Sequence, residues 1–377
     1  MSTAVTRLEK TRSLELTRLG FACGLLFLLI TVMVSFVAHR TGNRYITFGT
    51  LWASGRAAID GLDPYAAYPE TYRGRIGGQG PANYPDLNLN PPWTLPFIQS
   101  LSHLSLARFT QAWTLLTGFC FLAGCVILIR NQPELQGRQV IWLSLCAPTV
   151  LTLASGQVYG WAFLFGALAW SFHKRGHWLS TGIAIGCAVA IRPTMGFWLL
   201  FLFLRGYRKI AVVAAGTIVT LFALPLLIYG MEIYREWMRA FAGDMHWLDP
   251  VNIAIIPIFR RHGHPYWGVA IAILIVLCVG WRIVKARLDF TAVSGAALCV
   301  GMLSGPLAWM HYVLFAAPFF MARRWTTLST AGACLLLMIP LSAPIVGLLY
   351  LVGTFFMLAF FILPNSYPNR WRDLARE

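Results

Sequence analysis

Long apolar stretches, parted by short polar and often basic turns, run through most of the chain. A helix needs roughly 20 apolar residues, within a range of about 17–25, to cross the hydrocarbon core of a bilayer. Single crossings are predicted at Leu19–Ala38, Thr110–Ile129, Ile210–Gly230, Tyr266–Ile283, Phe290–Ser304, Leu307–Met321, Thr326–Ser342 and Ile345–Leu363. The first lacks a small-residue cleavage site and is read as a retained span. Val140–Phe172 and Trp178–Leu204 are each too long for one crossing and too short for two full ones. The first is interrupted at Ser155-Gly156-Gln157 and the second at Arg192-Pro193, so each is read as a hairpin of two short helices. Broken helices at membrane depth are tolerated only against protein or a water-filled cavity, so the breaks themselves point to a site.

Sidedness follows from the basic residues. With the N-terminus inside, the inner face receives Arg7, Lys10, Arg12 and Arg18, then Arg130/Arg138, Lys174/Arg175, Arg205/Arg208/Lys209, Arg282/Lys285/Arg287, Arg323/Arg324 and Arg370/Arg372/Arg376. Every short inner loop then obeys the positive-inside rule. Trp93–Leu106 breaks the pattern, because counting it as a crossing would put the later basic loops outside. It starts after Pro91-Pro92 and holds Pro96 and His103, so it is assigned to the outer side as an interfacial or re-entrant helix. The expectation is an all-α polytopic membrane protein of about twelve segments, a single integral membrane domain over residues 1–377. Residues 1–18 and 364–377 form cytoplasmic tails, and residues 39–109 and 231–265 form two external loops. The first of these opens on a juxtamembrane helix at Tyr45–Ile59.

Composition closes off other classes. The chain is 58% hydrophobic and 12% charged, against about 25% charged in soluble domains. The 30 Lys and Arg outnumber the 14 Asp and Glu, an excess that membrane orientation accounts for without a nucleic-acid partner. The eight cysteines lie mostly in apolar runs and show no metal-ligand spacing, so no disulfide, metal or other cofactor is expected.

The outer face holds the candidate chemistry. Asp63 stands before a Pro64-Tyr65 turn, where a carboxylate can act as a base or orient a hydroxyl; Asp-Pro is also a common turn starter. Asn83-Tyr84-Pro85 and Asn90-Pro91-Pro92-Trp93 add aromatic turns suited to a sugar ring. His311 lies where one helix ends and the next begins, with a pKa range suited to proton transfer at neutral pH. Arg192, at a hairpin apex, offers a fork for a phosphate or diphosphate, and Arg260 with Arg261 can do the same. Gln157 at the other apex can bond a hydroxylated ligand. Asp63, Gln157, Arg192, Asn252, Arg260 and His311 all map to one face, although none was used to set the topology.

These residues resemble a known family. Gly61-x-Asp63-Pro64-Tyr65, then Tyr84-Pro85 and Pro91-Pro92, is similar to the first external loop of glycosyltransferase family 87, of the GT-C superfamily. Gly156-Gln157, Arg192-Pro193-Thr194 with the basic turn Arg205-Gly206-Tyr207-Arg208-Lys209, and Gly305-Pro306-Leu307-Ala308-Trp309-x-His311 follow in the family's order. The nearest pattern is that of bacterial polyprenyl-phosphate-mannose-dependent α-mannosyltransferases. The resemblance implies a GT-C fold, a lipid-phosphate sugar donor and inversion at the anomeric carbon. It carries over Asp63 and His311 as catalytic, and beside them the reading expects Arg192 and Arg260 on the donor phosphate and Tyr65, Tyr84, Gln157, Asn252 and Trp309 on substrate. The partners it implies are a polyprenyl-phosphate sugar and a glycolipid or glycan acceptor, met at the outer face of the inner membrane. Two departures stand out: Asn252-Ile253-Ala254 keeps only the Asn of an Asn-Gln-Ser triplet, and Met310 and Tyr312 flank His311 where an acidic residue or a second histidine is common. Two other readings compete. A transporter would show repeated halves, and none is evident; a polysaccharide polymerase or ligase using lipid-diphosphate donors would favour more Arg in the large loops.

Overall fold

The computed structural model describes residues 46–66, 87–132, 135–243, 252–337 and 343–363, with positions 22 and 26. Every regular element among them is helical. In chain order these are α1 (Ile46–Ile59), a 3-10 turn (Pro92–Thr94) leading into α2 (Leu95–Leu101), α3 (Leu106–Asn131), α4 (Gly137–Leu145) and α5 (Ala147–Ser155). Next come α6 (Tyr159–Lys174), α7 (Trp178–Ile191), a 3-10 turn (Pro193–Gly196), α8 (Phe197–Arg205), α9 (Arg208–Tyr229) and α10 (Glu232–Gly243). The remainder are α11 (Ile255–Arg261), α12 (Pro265–Lys285), α13 (Phe290–Ser304), a 3-10 turn (Met310–Tyr312), α14 (Val313–Met321), α15 (Thr327–Leu335) and α16 (Ala343–Ile362). Four of these helices, α3, α9, α12 and α16, are long and apolar enough to cross a membrane, and α7, α8, α13 and α14 are shorter apolar helices. The expected first span, Leu19–Ala38, lies outside the described residues apart from positions 22 and 26.

Both expected breaks are present, each with a local cause. At the first, Gly156 caps α5 in the left-handed region (φ 74°), which costs glycine nothing and other residues strain. A Cβ there would also stand 2.4 Å from the Phe48 ring. At the second, Pro193 disfavours helical geometry in the preceding residue, and Arg192 is extended (φ −141°, ψ 96°). A third break falls at Cys146 (φ −68°, ψ 139°), where Pro148 takes the second position of α5 and the Ala147 N–H bonds the Leu336 carbonyl at 3.1 Å. The expected Leu307–Met321 span also starts later, since residues 305–309 are non-helical and α14 begins at Val313. Trp93–Leu106 resolves into a 3-10 turn and the seven-residue α2, too short to cross.

Small residues let the helices approach closely, the usual solution where lipid supplies no hydrophobic drive between helices. Gly182 and Gly186 of α7 lie against α9, where added Cβ atoms would meet Val213 and Thr217 at 2.6 and 2.5 Å. The chain alternates between two ends. At one, side chains of the basic turns bond one another's carbonyls: Lys174 to Asn131 (2.6 Å), Arg138 to Trp325 (2.8 Å), Arg205 to Leu288 (2.7 Å), Arg282 to Ile362 (3.0 Å) and Arg323 to Phe360 (3.2 Å). At the other lie the starts of α6 and α14 and the ends of α5, α7 and α13.

Candidate active site

Tyr159, on the first turn of α6, is the centre of this second end. Its hydroxyl accepts a 2.8 Å hydrogen bond from Arg192 Nε, and its ring lies 4.3 Å from that of His311 and 5.1 Å from that of Tyr312. The Arg192 guanidinium sits over both tyrosine rings, at 5.5 and 5.6 Å, where the π faces attract the cation. His311, in the Met310–Tyr312 turn, is buried and stacks parallel to Trp309 at 6.0 Å. The break at Arg192-Pro193 and the turn before α14 thus bring an arginine and a histidine against one tyrosine, which itself follows the break at 155–157.

A strap over residues 87–91 joins this group to Asp63. The Leu89 carbonyl accepts from Arg192 (3.2 Å) and from the Trp237 indole (3.3 Å), and the neighbouring Asn90 carbonyl accepts from the Tyr65 hydroxyl (3.1 Å). The Asp63 Oδ1 in turn accepts from the Tyr65 N–H at 2.7 Å, an Asx turn. Trp93 pins the strap by donating to the Ala190 carbonyl at 2.8 Å. A continuous series of contacts therefore runs Asp63, Tyr65, Asn90, Leu89, Arg192, Tyr159, His311. Within the strap, Asn88 Nδ2 and Asn90 Oδ1 are buried and have no hydrogen-bond partner among the described residues.

The other expected residues fall at different depths. Asn252 is fully buried; its Oδ1 accepts from the Ala254 and Ala308 N–H groups (3.2 and 2.9 Å) and its Nδ2 donates to Pro306 (3.4 Å). These contacts tie two loops together and fix the strand of chain that leads to Trp309 and His311. Gln157 is half-buried at the apex after α5, which packs on the Met310–Tyr312 turn. Arg260 is exposed at the end of α11, and the guanidinium turned toward the Asn252 carbonyl, at 3.5 Å, is that of Arg261. Tyr84 lies outside the described residues.

Tyr65 is buried with Leu95, Ile233 and Ala240, and with Trp237 at the edge, so the amphipathic α10 lies over the Asp63 turn. Burial first, and neighbouring tyrosines and acids second, hold the Tyr65 phenol well above its usual range and keep it a neutral donor. Arg239 reaches Asp63 Oδ2 at 3.5 Å. Glu236 is raised above the usual carboxylate range, by burial first and by Asp63 next. The sequence reading missed Tyr159, Glu236 and Arg239. A tyrosine at the mouth of an apolar helix resembles an interfacial belt residue, and charges along an amphipathic helix resemble a solvated face.

Beside Arg192 an open cleft of about 420 Å³ runs between the Pro193–Gly196 turn with Phe197 and Leu200 on one wall and Ser304, Gly305 and Pro306 on the other. Thr194 Oγ1, buried there, has no hydrogen-bond partner among the described residues. Two expected motifs, Arg192-Pro193-Thr194 and Gly305-Pro306, therefore face each other.

Fold and site together define a helical membrane protein whose polar groups converge at one end of the bundle beside an apolar cleft. Residues 88–310 match the model of glycosyltransferase family 87. The chain belongs to this family and is a membrane glycosyltransferase. Searches of curated proteins and of solved structures find no match.

Proposed function

We propose that the enzyme moves a sugar, mannose by its motifs, from a polyprenyl-phosphate donor to a hydroxyl of a lipid-linked or glycan acceptor, with inversion. The work is done at the extracytoplasmic face of the inner (plasma) membrane, in a GT-C architecture of about twelve segments. The observation that carries this reading is the series of contacts joining Asp63 to Arg192 and His311, in a chain of this family. Asp63, with its side chain 29% exposed, takes the proton of the acceptor hydroxyl as that oxygen bonds the anomeric carbon. The bond from that carbon to the phosphate oxygen breaks, its electron pair leaves on the lipid phosphate, and Arg192 stabilises the departing charge. His311 orients the acceptor within the pocket, with Tyr65, Tyr84, Gln157 and Trp309 against the sugars and Arg260 at the rim. The cleft beside Arg192 seats the first isoprene units, its Phe197 and Leu200 wall being apolar and open.

Purified enzyme is to be incubated with a lipid extract of its host membranes and either radiolabelled polyprenyl-phosphate-mannose or a lipid-diphosphate-linked sugar. Label transferred from the monophosphate donor, and lost in D63N and H311A while both elute as folded protein, is the expected result. Transfer from the diphosphate donor alone would overturn the donor assignment. Near-normal turnover in both variants would overturn the site.

A further inference from the structure

The strap over residues 87–91 reverses the usual order of burial. Leu87 and Leu89 are half-buried, whereas Asn88 and Asn90 are 2% and 6% exposed, although carboxamides ordinarily stay near water. The two amides are locked to each other. Asn88 Oδ1 accepts from the Asn90 backbone N–H at 3.1 Å and from Asn90 Nδ2 at 3.0 Å. A backbone N–H can only donate, which fixes the Asn88 amide with its oxygen toward Asn90. That oxygen can only accept, which fixes the Asn90 amide in turn. What remains is a donor at Asn88 Nδ2 and an acceptor at Asn90 Oδ1, both buried and both without a partner among the described residues. The other buried side-chain atoms in that condition are hydroxyls and indoles, on helices or on the Pro193–Gly196 turn.

The geometry points to Asn88 and Asn90 as the residues that bind one hydroxyl of the donor sugar, its oxygen accepting from Asn88 Nδ2 and its proton donated to Asn90 Oδ1. This rests on Arg192 holding the donor phosphate. A hydroxyl both accepts and donates, so it matches a neutral pair of one donor and one acceptor; a phosphate or carboxylate would ask for donors alone. Position favours the donor sugar over the acceptor. Leu89, between the two asparagines, accepts from the Arg192 guanidinium at 3.2 Å, and the sugar is covalently attached to the phosphate that this guanidinium holds. The strap is fixed there, the Asn90 carbonyl by the Tyr65 hydroxyl at 3.1 Å and Trp93 by the Ala190 carbonyl at 2.8 Å. In this role the asparagines select the sugar and leave bond breaking to Asp63 and Arg192.

The test is equilibrium binding, without acceptor, of polyprenyl-phosphate-mannose and of the four analogues that each lack one sugar hydroxyl, to full-length wild type, N88D and N90A. N88D keeps an oxygen for Asn90 to bond and deletes the free donor; N90A deletes the free acceptor. Wild type should lose about tenfold or more in affinity for one analogue, because the missing hydroxyl leaves both amide atoms unpaired. In each variant that penalty should fall to about threefold or less, the other three ratios staying as in wild type. Each ratio is taken within one preparation, so a misfolded fraction cancels. Equal binding of all five lipids by wild type, as when a buried water serves the amides, overturns the proposal. So does a penalty of wild-type size in either variant, and so does failure of polyprenyl-phosphate-mannose to bind. Binding that follows the expected pattern, with no transfer from this donor to the membrane lipid extract, would overturn the transfer reading and leave the sugar site standing.

Discussion

Arg192 owes its place to the residue after it. Pro193 ends α7 one residue early, and the extended backbone carries the guanidinium across to Tyr159 and Leu89 rather than along the helix. Asp63, Arg192 and His311 were legible in the sequence because ionisable side chains at turns and broken helices need a reason to be there. Tyr159 was not, although its hydroxyl and ring touch both Arg192 and His311. Y159F keeps the ring against His311 and deletes the hydroxyl that accepts from Arg192 Nε and bonds the Tyr312 side chain. A hydrogen bond to a charged group contributes about 1.5–3 kcal/mol. The variant should thus lower the thermal midpoint and, by freeing the Arg192 guanidinium, raise KM for the lipid donor more than it lowers kcat, measured by a melt in detergent and by initial rates at varied donor.

At the scale of elements, the polar breaks at 155–157 and 192–193 were readable because glycine and proline act through the backbone alone. The break at Cys146 was not. Its Ala147 N–H bonds the carbonyl of Leu336, so the break draws on a partner far away in the chain. Asn252 teaches the same lesson for the site: read as a sugar ligand, its amide is bonded into the loops that lead to His311. N252A leaves buried N–H groups of Ala254 and Ala308 without that acceptor, each costing about 1–3 kcal/mol. It should lower the thermal midpoint clearly and cut kcat by releasing the Trp309–His311 segment. An N252A enzyme with unchanged melting and raised KM alone would instead mark Asn252 as a ligand contact. The charge pattern of α10 was visible in the sequence, but the face it covers was not.

In the whole molecule, basic turns gather at one end and the Tyr159 group at the other. The proposed orientation makes a direct prediction. On a cysteine-free background, L62C, at a position 57% exposed, should react with a membrane-impermeant maleimide on intact cells. R287C, beside the Arg205 contact, should react only after permeabilisation; the reverse pattern would invert the orientation. From sequence alone came the helical class, the four long apolar helices and the break points at 155–157 and 192–193, because hydropathy and Gly or Pro chemistry act locally. Tertiary structure decided which side chains meet: Tyr159 between Arg192 and His311, the 87–91 strap, and α10 over Asp63. Those contacts join residues up to 176 positions apart, and no local rule of periodicity or propensity encodes a partner at that distance.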